Sequence, residues 1–233
     1  MHNLEKDFIS FEKSRGVDGL FLHDYMRSVN NSYIEPTVIE ERQMNATSIS
    51  VYSRLLMDNI IFLGTEINED VANIVTGQLL WLEQQNSNDI SIMCNSGGGS
   101  VIGGYSIIDV CNYIKNDIST TITGMAASMA AVISSNGTKG KRFGLQHARF
   151  MIHQPRMTFG QGAMVASDIT IEAEEINKTK TELYKTLSSN SNRTFDQIKE
   201  MSDRDRWFTM EEAIEYGFVD KIIEPKKLNK VNS

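Results

Sequence analysis

The chain has 233 residues, 40% of them hydrophobic and 23% charged, a balance typical of a soluble globular protein with one substantial core. Its formal net charge of −7 disfavours nucleic acid as the main partner, because phosphate binding needs a concentrated basic surface. The sequence has no apolar stretch near the roughly 20 residues that a membrane-spanning helix needs, and no N-terminal secretory signal, so we expect a cytoplasmic protein.

Domain organisation is predicted from where the apolar pattern starts and stops. Residues 1–36 lack a sustained apolar period and are interpreted as an N-terminal extension or propeptide, partly ordered. Residues 37–225 are assigned to one folded domain, and residues 226–233 to a polar C-terminal tail.

Short apolar runs alternate with helical patterns in the first half of this domain. Strands are predicted at Ile60–Leu63, Ile90–Met93 and Thr120–Thr123. A helix is predicted over Val101–Ile114, and an earlier one begins at Glu69 and Asp70. The apolar face of the earlier helix is predicted to contain Val71, Ile74, Val75, Leu79 and Leu82. Such alternation implies parallel strands joined by crossover helices, an α/β architecture.

The second half contains a basic, hairpin-like stretch over 136–142, a strand over Ala148–His153 and a last strand over Val219–Ile223. Between them, a long helix is predicted over Ala166–Ser188. Its apolar positions at helical spacing are Ile169, Ala173, Ile176, Leu183 and Leu187.

Capping signals mark two shorter helices near the end of the chain. Thr194 with Gln197, and Thr209 with Glu212, match the capping-box pattern at a helix start. Gly217 stands where the second helix needs a C-cap.

The two cysteines lie in apolar runs. Cys94 and Cys111 are therefore interpreted as buried free thiols rather than as a disulfide or metal ligands.

A serine at a strand-to-helix junction is the first candidate for chemistry. Ser128 lies in a run of glycine and alanine, which leaves room for a tight turn and a close substrate, and the next N–H is free to donate. The alternative is a serine N-cap in a small-residue packing site.

The glycines at 97–99 allow positive φ, so their N–H groups are candidates for donating to an oxyanion or a phosphate. The alternative is that they only form a tight turn.

Two further segments supply a base and an acid. His153 ends an apolar strand before Pro155, a rigid mount for a general base, although a structural histidine is the alternative. Asp203 and Asp205 alternate with arginines beside Trp207, a pattern that in isolation indicates a surface salt-bridge cluster. A serine and histidine need such an acid to fix the imidazole tautomer, so the joint presence of all three points to acyl transfer.

A series of motifs follows one order along residues 37–224: Val38–Glu41, Tyr52–Leu56, Ile61–Gly64, Asn95–Ser96 with Gly98–Gly99, Gly124 with Ala126–Met129, Gly140–Arg142, Met151–Pro155, Asp203–Arg206 and Glu212–Gly217. In this order the motifs resemble those of the family of Clp protease proteolytic subunits (ClpP).

The resemblance implies a ClpP/crotonase-like spiral of ββα units, with the long helix as a protruding handle, in a ClpP-like protease domain over 37–225. It implies Ser128 as nucleophile, His153 as base and Asp205 as triad acid. Backbone N–H groups of Gly99 and Met129 would be the oxyanion donors.

The resemblance also implies an assembly and its partners. Asp203 and Arg204 match the family's oligomerisation sensor. Two stacked heptameric rings would enclose the active sites, and a hexameric Clp-type ATPase would feed in unfolded polypeptides. No metal or other cofactor is implied, since the partner ATPase uses the ATP.

The sequence departs from the family pattern at three places. The N-terminal extension over 1–36 is long for the family, and either a cleaved propeptide or an addition at the axial gate would account for it. The other two departures lie within the domain. Gly97 replaces a proline, which predicts a looser oxyanion loop, and the segment over 156–162 replaces a Gly-Gly pair and is longer. These departures keep open a regulatory or structural paralogue in a mixed ring. A crotonase-type acyl-CoA enzyme shares the fold, but its chemistry needs no serine nucleophile.

Overall fold

The computed structural model describes residues 37–42, 45–156 and 165–224. The chain divides into two compact units, residues 1–55 and 56–233. The departure over 156–162 and the tail over 226–233 therefore lie almost wholly outside the described residues, as does the extension over 1–36.

The first unit contains a β-hairpin that the sequence analysis missed. Strands β1 (Thr37–Arg42) and β2 (Asn45–Ser50) pair antiparallel along their whole length. Helix α1 (Val51–Met57) begins directly after them, where the Ser50 hydroxyl accepts the Tyr52 N–H at 3.2 Å.

The second unit is built on a seven-stranded mixed sheet. Five parallel strands follow the order β3-β4-β5-β6-β9, while β7 pairs parallel with β5 and antiparallel with β8. The strands are β3 (Ile60–Leu63), β4 (Ile90–Ser96), β5 (Ile118–Ala127), β6 (Arg142–Leu145), β7 (Arg149–Ile152), β8 (Arg206–Phe208) and β9 (Lys221–Ile223). The predicted α/β architecture with parallel strands is confirmed.

Six helices of this unit are described. They are α2 (Glu69–Gln85), α3 (Val101–Tyr113), α4 (Met129–Ser135), α5 (Ala166–Ser189), α6 (Phe195–Met201) and α7 (Met210–Glu215). The predicted long helix is confirmed as α5, the handle, which runs one residue further than expected.

Strand β5 has ten residues, and two strands, β6 and β7, pair with different parts of it. Its first part pairs with β6 and its last part, Met125–Ala127, pairs with β7. Parallel strands present their carboxyl ends at one edge, so the ends of β4, β5 and β7 meet there. Ser128 follows β5 directly at this edge.

The core lies between the sheet and helices α2, α3 and α4. Its largest fully buried side chains are Ile61, Leu63, Ile67, Leu79, Leu82, Ile90, Ile92, Ile107, Ile122, Phe150, Phe208 and Phe218. Phe150 of β7 packs edge-to-face on Phe208 of β8 at 6.1 Å, which joins the two strands that lie next to the predicted base and acid. Cys94 and Cys111 are buried free thiols, as predicted, and burial raises their pKa values to about 11 and about 12.

Two predicted apolar faces were partly wrong. On α2, Val75, Leu79 and Leu82 are buried, but Ile74 is 60% exposed because it lies about 100° around the helix from Val75. On α5, the buried residues are Leu183, Tyr184 and Leu187, while Ile169 is exposed, since the N-terminal part of this handle extends beyond the core of the single chain.

The hairpin interpretation of residues 136–142 was also wrong. The chain turns at Gly140 (φ 88°) into β6, which runs parallel to β5 rather than antiparallel. Arg142 begins this strand and is buried, so the basic run contains a core residue. Its hydrogen bonds to Asp220 replace those that water would make to an arginine on the surface.

Both predicted capping boxes are present, and that of α7 gives a first testable prediction. The Thr209 hydroxyl accepts the Glu212 N–H at 3.2 Å, and the Glu212 carboxylate accepts the Thr209 N–H at 2.7 Å. Gly217 ends this helix with φ 79°, as predicted. We expect Thr209→Ala to lower the free energy of unfolding by about 1 kcal/mol and Thr209→Ser to retain most of it. Urea unfolding measures this; equal losses in both variants would contradict a capping role.

Candidate active site

Ser128 has a backbone conformation that is rare for a residue with a side chain. It lies between β5 and α4 with φ 55° and ψ −126°, and its N–H donates to the Met151 carbonyl at 2.9 Å. Positive φ outside glycine and asparagine is uncommon and costly, and residues in such conformations cluster at active sites. Its hydroxyl makes no cap hydrogen bond to α4, which argues against the simple N-cap interpretation.

The Ser128 hydroxyl instead meets His153. Their Oγ and Nε2 atoms are 2.8 Å apart. His153 is the first residue after β7, a strand fixed on one side by β5 and on the other by β8. The next residue is fixed as well, since the Gln154 N–H donates to the Ser202 carbonyl at 2.6 Å. The imidazole is thus mounted on rigid backbone.

Asp205 reaches the other ring nitrogen because of strand register. Ile152 of β7 lies opposite Arg206 of β8, so His153, which follows Ile152, and Asp205, which precedes Arg206, are neighbours at one end of the ladder. The His153 Nδ1 and Asp205 Oδ1 atoms are 3.1 Å apart. Ser128, His153 and Asp205, which are far apart in sequence, therefore form one hydrogen-bonded chain.

Arg156 contacts the same carboxylate, and the sequence analysis did not identify it. Its Nη2 donates to Asp205 Oδ1 at 2.5 Å. A hydrogen bond from Arg156 is the largest cause that holds the pKa of Asp205 below its usual value; desolvation opposes it, and the charge of Arg156 and the contact with His153 add to the lowering. Asp205 is therefore ionised at neutral pH.

The glycine loop after β4 lies against Ser128. Gly98 and Gly99 have φ values of 94° and 143°, whereas Gly97 does not have positive φ. A Cβ on Gly98 would lie 2.6 Å from the Ala127 carbonyl oxygen and 2.7 Å from Ser128 Cβ, so only glycine allows this approach. A Cβ on Gly97 would meet nothing within 4 Å. The replacement at position 97 therefore leaves the close contact with Ser128 in place.

Gly99 is held by a short parallel bridge to Ile67. The Ile67 N–H donates to the Gly98 carbonyl at 2.8 Å, and the Ser100 N–H donates to the Ile67 carbonyl at 2.7 Å. In such a bridge the N–H of the central residue, Gly99, points to the opposite side. Met129 is the first residue of α4, so its N–H has no acceptor within that helix.

A pocket of about 160 Å³ opens beside Ser128. Its lining is mainly apolar, with Gly99, His153 and Arg156 at the reactive side. The apolar lining residues are Val101, Met129, Val132, Ile152, Pro155, Leu183 and Leu187. Leu183 and Leu187 come from the C-terminal part of α5, so the handle helix forms one wall of this pocket.

Asp203 and Arg204 do not join the hydrogen-bonded chain. Both side chains are exposed, with Arg204 Nε 3.7 Å from Asp203 Oδ2. The backbone of this loop is hydrogen-bonded to the residue after His153, because Gln154 Nε2 donates to the Asp203 carbonyl at 2.8 Å.

Neither a metal-binding cluster nor a membrane-spanning helix is present in the described ranges. Within 37–42, 45–156 and 165–224, no group of three or more histidine, cysteine, aspartate or glutamate side chains could hold a metal ion. Over the same part of the chain, no helix is both long and apolar enough to cross a membrane.

Comparisons with known proteins agree with the motifs. The family model for the Clp protease matches residues 42–226. An ATP-dependent Clp protease proteolytic subunit from Porphyromonas gingivalis is 51% identical over 213 residues, which cover 91% of this chain and 94% of that relative. Proteins of the same name from Bacteroides thetaiotaomicron and Lactococcus lactis are 47% and 45% identical, over 92% and 84% of this chain and 96% and 98% of their own lengths. The chain therefore belongs to the Clp protease family, as its motifs predicted.

Proposed function

We propose that this chain hydrolyses peptide bonds with Ser128 as nucleophile, His153 as general base and Asp205 as the acid that orients the imidazole. One observation carries the proposal: a continuous chain of contacts, 2.8 Å from Ser128 Oγ to His153 Nε2 and 3.1 Å from His153 Nδ1 to Asp205 Oδ1. As a member of its family, the chain is a serine-type endopeptidase.

The reaction proceeds as two acyl transfers. His153 takes the proton of Ser128 as the hydroxyl oxygen attacks the peptide carbonyl, and it then protonates the leaving amine. Water, activated by the same imidazole, attacks the acyl-enzyme and releases the carboxylic acid and Ser128. Asp205 keeps the Nδ1 proton in place, so that Nε2 is free to accept from Ser128.

Gly99 and Met129 are proposed as the oxyanion donors. The Gly99 N–H points away from Ile67, the Met129 N–H is free of its helix, and both residues line the pocket with Ser128. Donors that face the developing charge contribute most to such a reaction. Side chains and backbone thus fill every role, and the mechanism requires no cofactor. The apolar pocket beside Ser128 favours an apolar substrate side chain.

The assembly is proposed from the family. The relatives carry the name ATP-dependent proteolytic subunit, which supports a partner ATPase for this chain. We assign the partner to a hexameric Clp-type ATPase that delivers unfolded polypeptides to a chamber of two stacked heptameric rings. The exposed pair Asp203 and Arg204, two residues or fewer from Asp205, would report ring assembly to the acid. A cytoplasmic location stays a prediction.

The test is the intact mass of the assembled protein after treatment with a fluorophosphonate, compared with Ser128→Ala. We expect one adduct per native chain and none on the variant, because an activated serine hydroxyl is needed for phosphonylation. Labelling of Ser128→Ala would place the nucleophile elsewhere. An unlabelled native chain in intact rings would instead favour the regulatory or structural paralogue.

A further inference from the structure

The acid of the proposed triad is open to solvent. The Asp205 side chain is 43% exposed, whereas the His153 side chain is 13% exposed. Strand β8 fixes the backbone next to Asp205, but it leaves the carboxylate free to rotate about its side-chain torsions. Water competes for an exposed carboxylate, so another contact is needed to keep one oxygen facing His153.

Arg156 makes that contact. Its guanidinium donates to Oδ1, the same oxygen that faces His153 Nδ1. Within the described residues, these two groups are the hydrogen-bond partners of the Asp205 side chain. Arg156 also follows His153 by three residues with Pro155 between them, so one short segment carries both the base and the group that holds its acid.

From this geometry we propose that Arg156 is a positioning residue that acts through Asp205 and orients its carboxylate towards His153. The inference rests on the proposed function of Asp205 and goes beyond it, because it assigns a role to a residue outside the triad. Arg156 is the first residue of the segment over 156–162 that departs from the family pattern.

Orientation rather than ionisation is the expected contribution. An aspartate with no special partner has a pKa near 3.9, so Asp205 stays ionised at neutral pH even when Arg156 is replaced. The loss on removing Arg156 should therefore be nearly constant from about pH 6 to pH 8. A loss confined to acidic pH would indicate ionisation instead and would overturn the proposal.

The experiment compares Arg156→Met with Arg156→Lys in assembled protein, using hydrolysis of a short fluorogenic peptide. We expect Arg156→Met to lower kcat about 3- to 10-fold with KM unchanged, because a charge-assisted contact that fixes geometry is lost. Arg156→Lys should restore part of kcat, since it keeps the charge but not the planar fork. Arg149→Met is the matched control. Arg149 is an exposed arginine at the start of β7, the strand that leads to His153, and its replacement should leave kcat unchanged.

A double-mutant cycle separates action through Asp205 from other roles. In an Asp205→Asn background, followed by the rate of fluorophosphonate labelling, Arg156→Met should have no further effect. An equal fall of the labelling rate in both backgrounds, or an increase in KM with kcat unchanged, would show that Arg156 contacts the substrate directly. Either result would overturn the proposal. So would an unchanged kcat in Arg156→Met. If the native chain itself is not labelled, the proposed function fails; a labelled native chain with no Arg156 effect overturns the positioning role alone.

Discussion

Asp205→Asn is expected to lower kcat for peptide hydrolysis by about 10⁴-fold, the size of the loss when this carboxylate becomes an amide in a well-studied serine protease. The carboxylate accepts from His153 Nδ1 at 3.1 Å, which leaves Nε2 unprotonated and able to accept from Ser128. An asparagine can turn its N–H₂ group to Nδ1, which favours the opposite tautomer with a proton on Nε2. That tautomer cannot take the proton of Ser128.

The measurement is steady-state hydrolysis of a short peptide by assembled protein, which avoids any need for a partner ATPase. Asp196→Asn is the control, because Asp196 is an exposed aspartate in the first turn of α6, away from His153. Since Arg156 holds the pKa of Asp205 below its usual value, the carboxylate is ionised throughout neutral pH and the ratio of wild-type to variant kcat should stay constant from about pH 6 to pH 8. A loss of less than about 10-fold would mean that Asp205 does not orient the base.

The elements that carry this site were predictable to different extents. Ser128 and His153 could be placed from sequence because each comes after a strand that the sequence predicts, and strand ends in parallel sheets meet at one edge. The meeting of His153 with Asp205 depends on β8, a three-residue strand that directly follows a run of charged residues and has no alternation to reveal it. Of the two candidate acids in this segment, Asp203 and Asp205, the choice of Asp205 rested only on the resemblance to the Clp protease family.

Other contacts had no signal in the sequence. Arg156 is an exposed arginine after a proline, and no local pattern indicates that it folds back onto an acid 49 residues further along the chain. Arg142 lies in a run of basic and glycine residues that is typical of a surface turn, yet its guanidinium is buried. Both depend on pairing between distant segments, which tertiary structure decides and local propensity does not.

The buried pair of Arg142 and Asp220 gives the second large prediction. Arg142 Nε and Nη2 donate to the two oxygens of Asp220 at 2.9 and 2.5 Å, with 5% of the arginine and 20% of the aspartate side chain exposed. Arg142 Nη1 donates to the carbonyls of Ser135 and Asn190, at the C-terminal ends of α4 and α5. The pair therefore ties two helix ends, including that of the helix that follows Ser128, to the starts of β6 and β9.

Asp220→Ala is expected to lower the free energy of unfolding by about 3 kcal/mol, the lower end for a broken buried pair, because Asp220 keeps some contact with water. The variant leaves the Arg142 guanidinium buried without its carboxylate, and it also removes the acceptor for the Gly140 N–H at 2.7 Å. Asp220→Asn should lose less, since it keeps an acceptor and the side-chain shape. Urea unfolding at one fixed protein concentration measures both variants, with fixed concentration needed because assembly adds to apparent stability.

The adjacent exposed pair is the matched control for burial. Lys141 Nζ lies 2.8 Å from Asp117 Oδ2, with 33% and 52% of the side chains exposed, so Asp117→Ala should change stability little.

The contribution of the Arg142–Asp220 pair to stability depends on pH with a defined sign. Burial raises the pKa of Asp220, but the hydrogen bonds and charge of Arg142, together with the Gly140 N–H, outweigh it and lower the pKa in the folded chain. The pair therefore stabilises fully above the unfolded value near 3.9 and loses its contribution as pH falls through the folded value. The difference in free energy of unfolding between wild type and Asp220→Ala should thus be constant from about pH 5 to pH 8 and become smaller only below about pH 4. Equal losses of this free energy for Asp220→Ala and Asp117→Ala would show that burial does not decide the strength of these pairs.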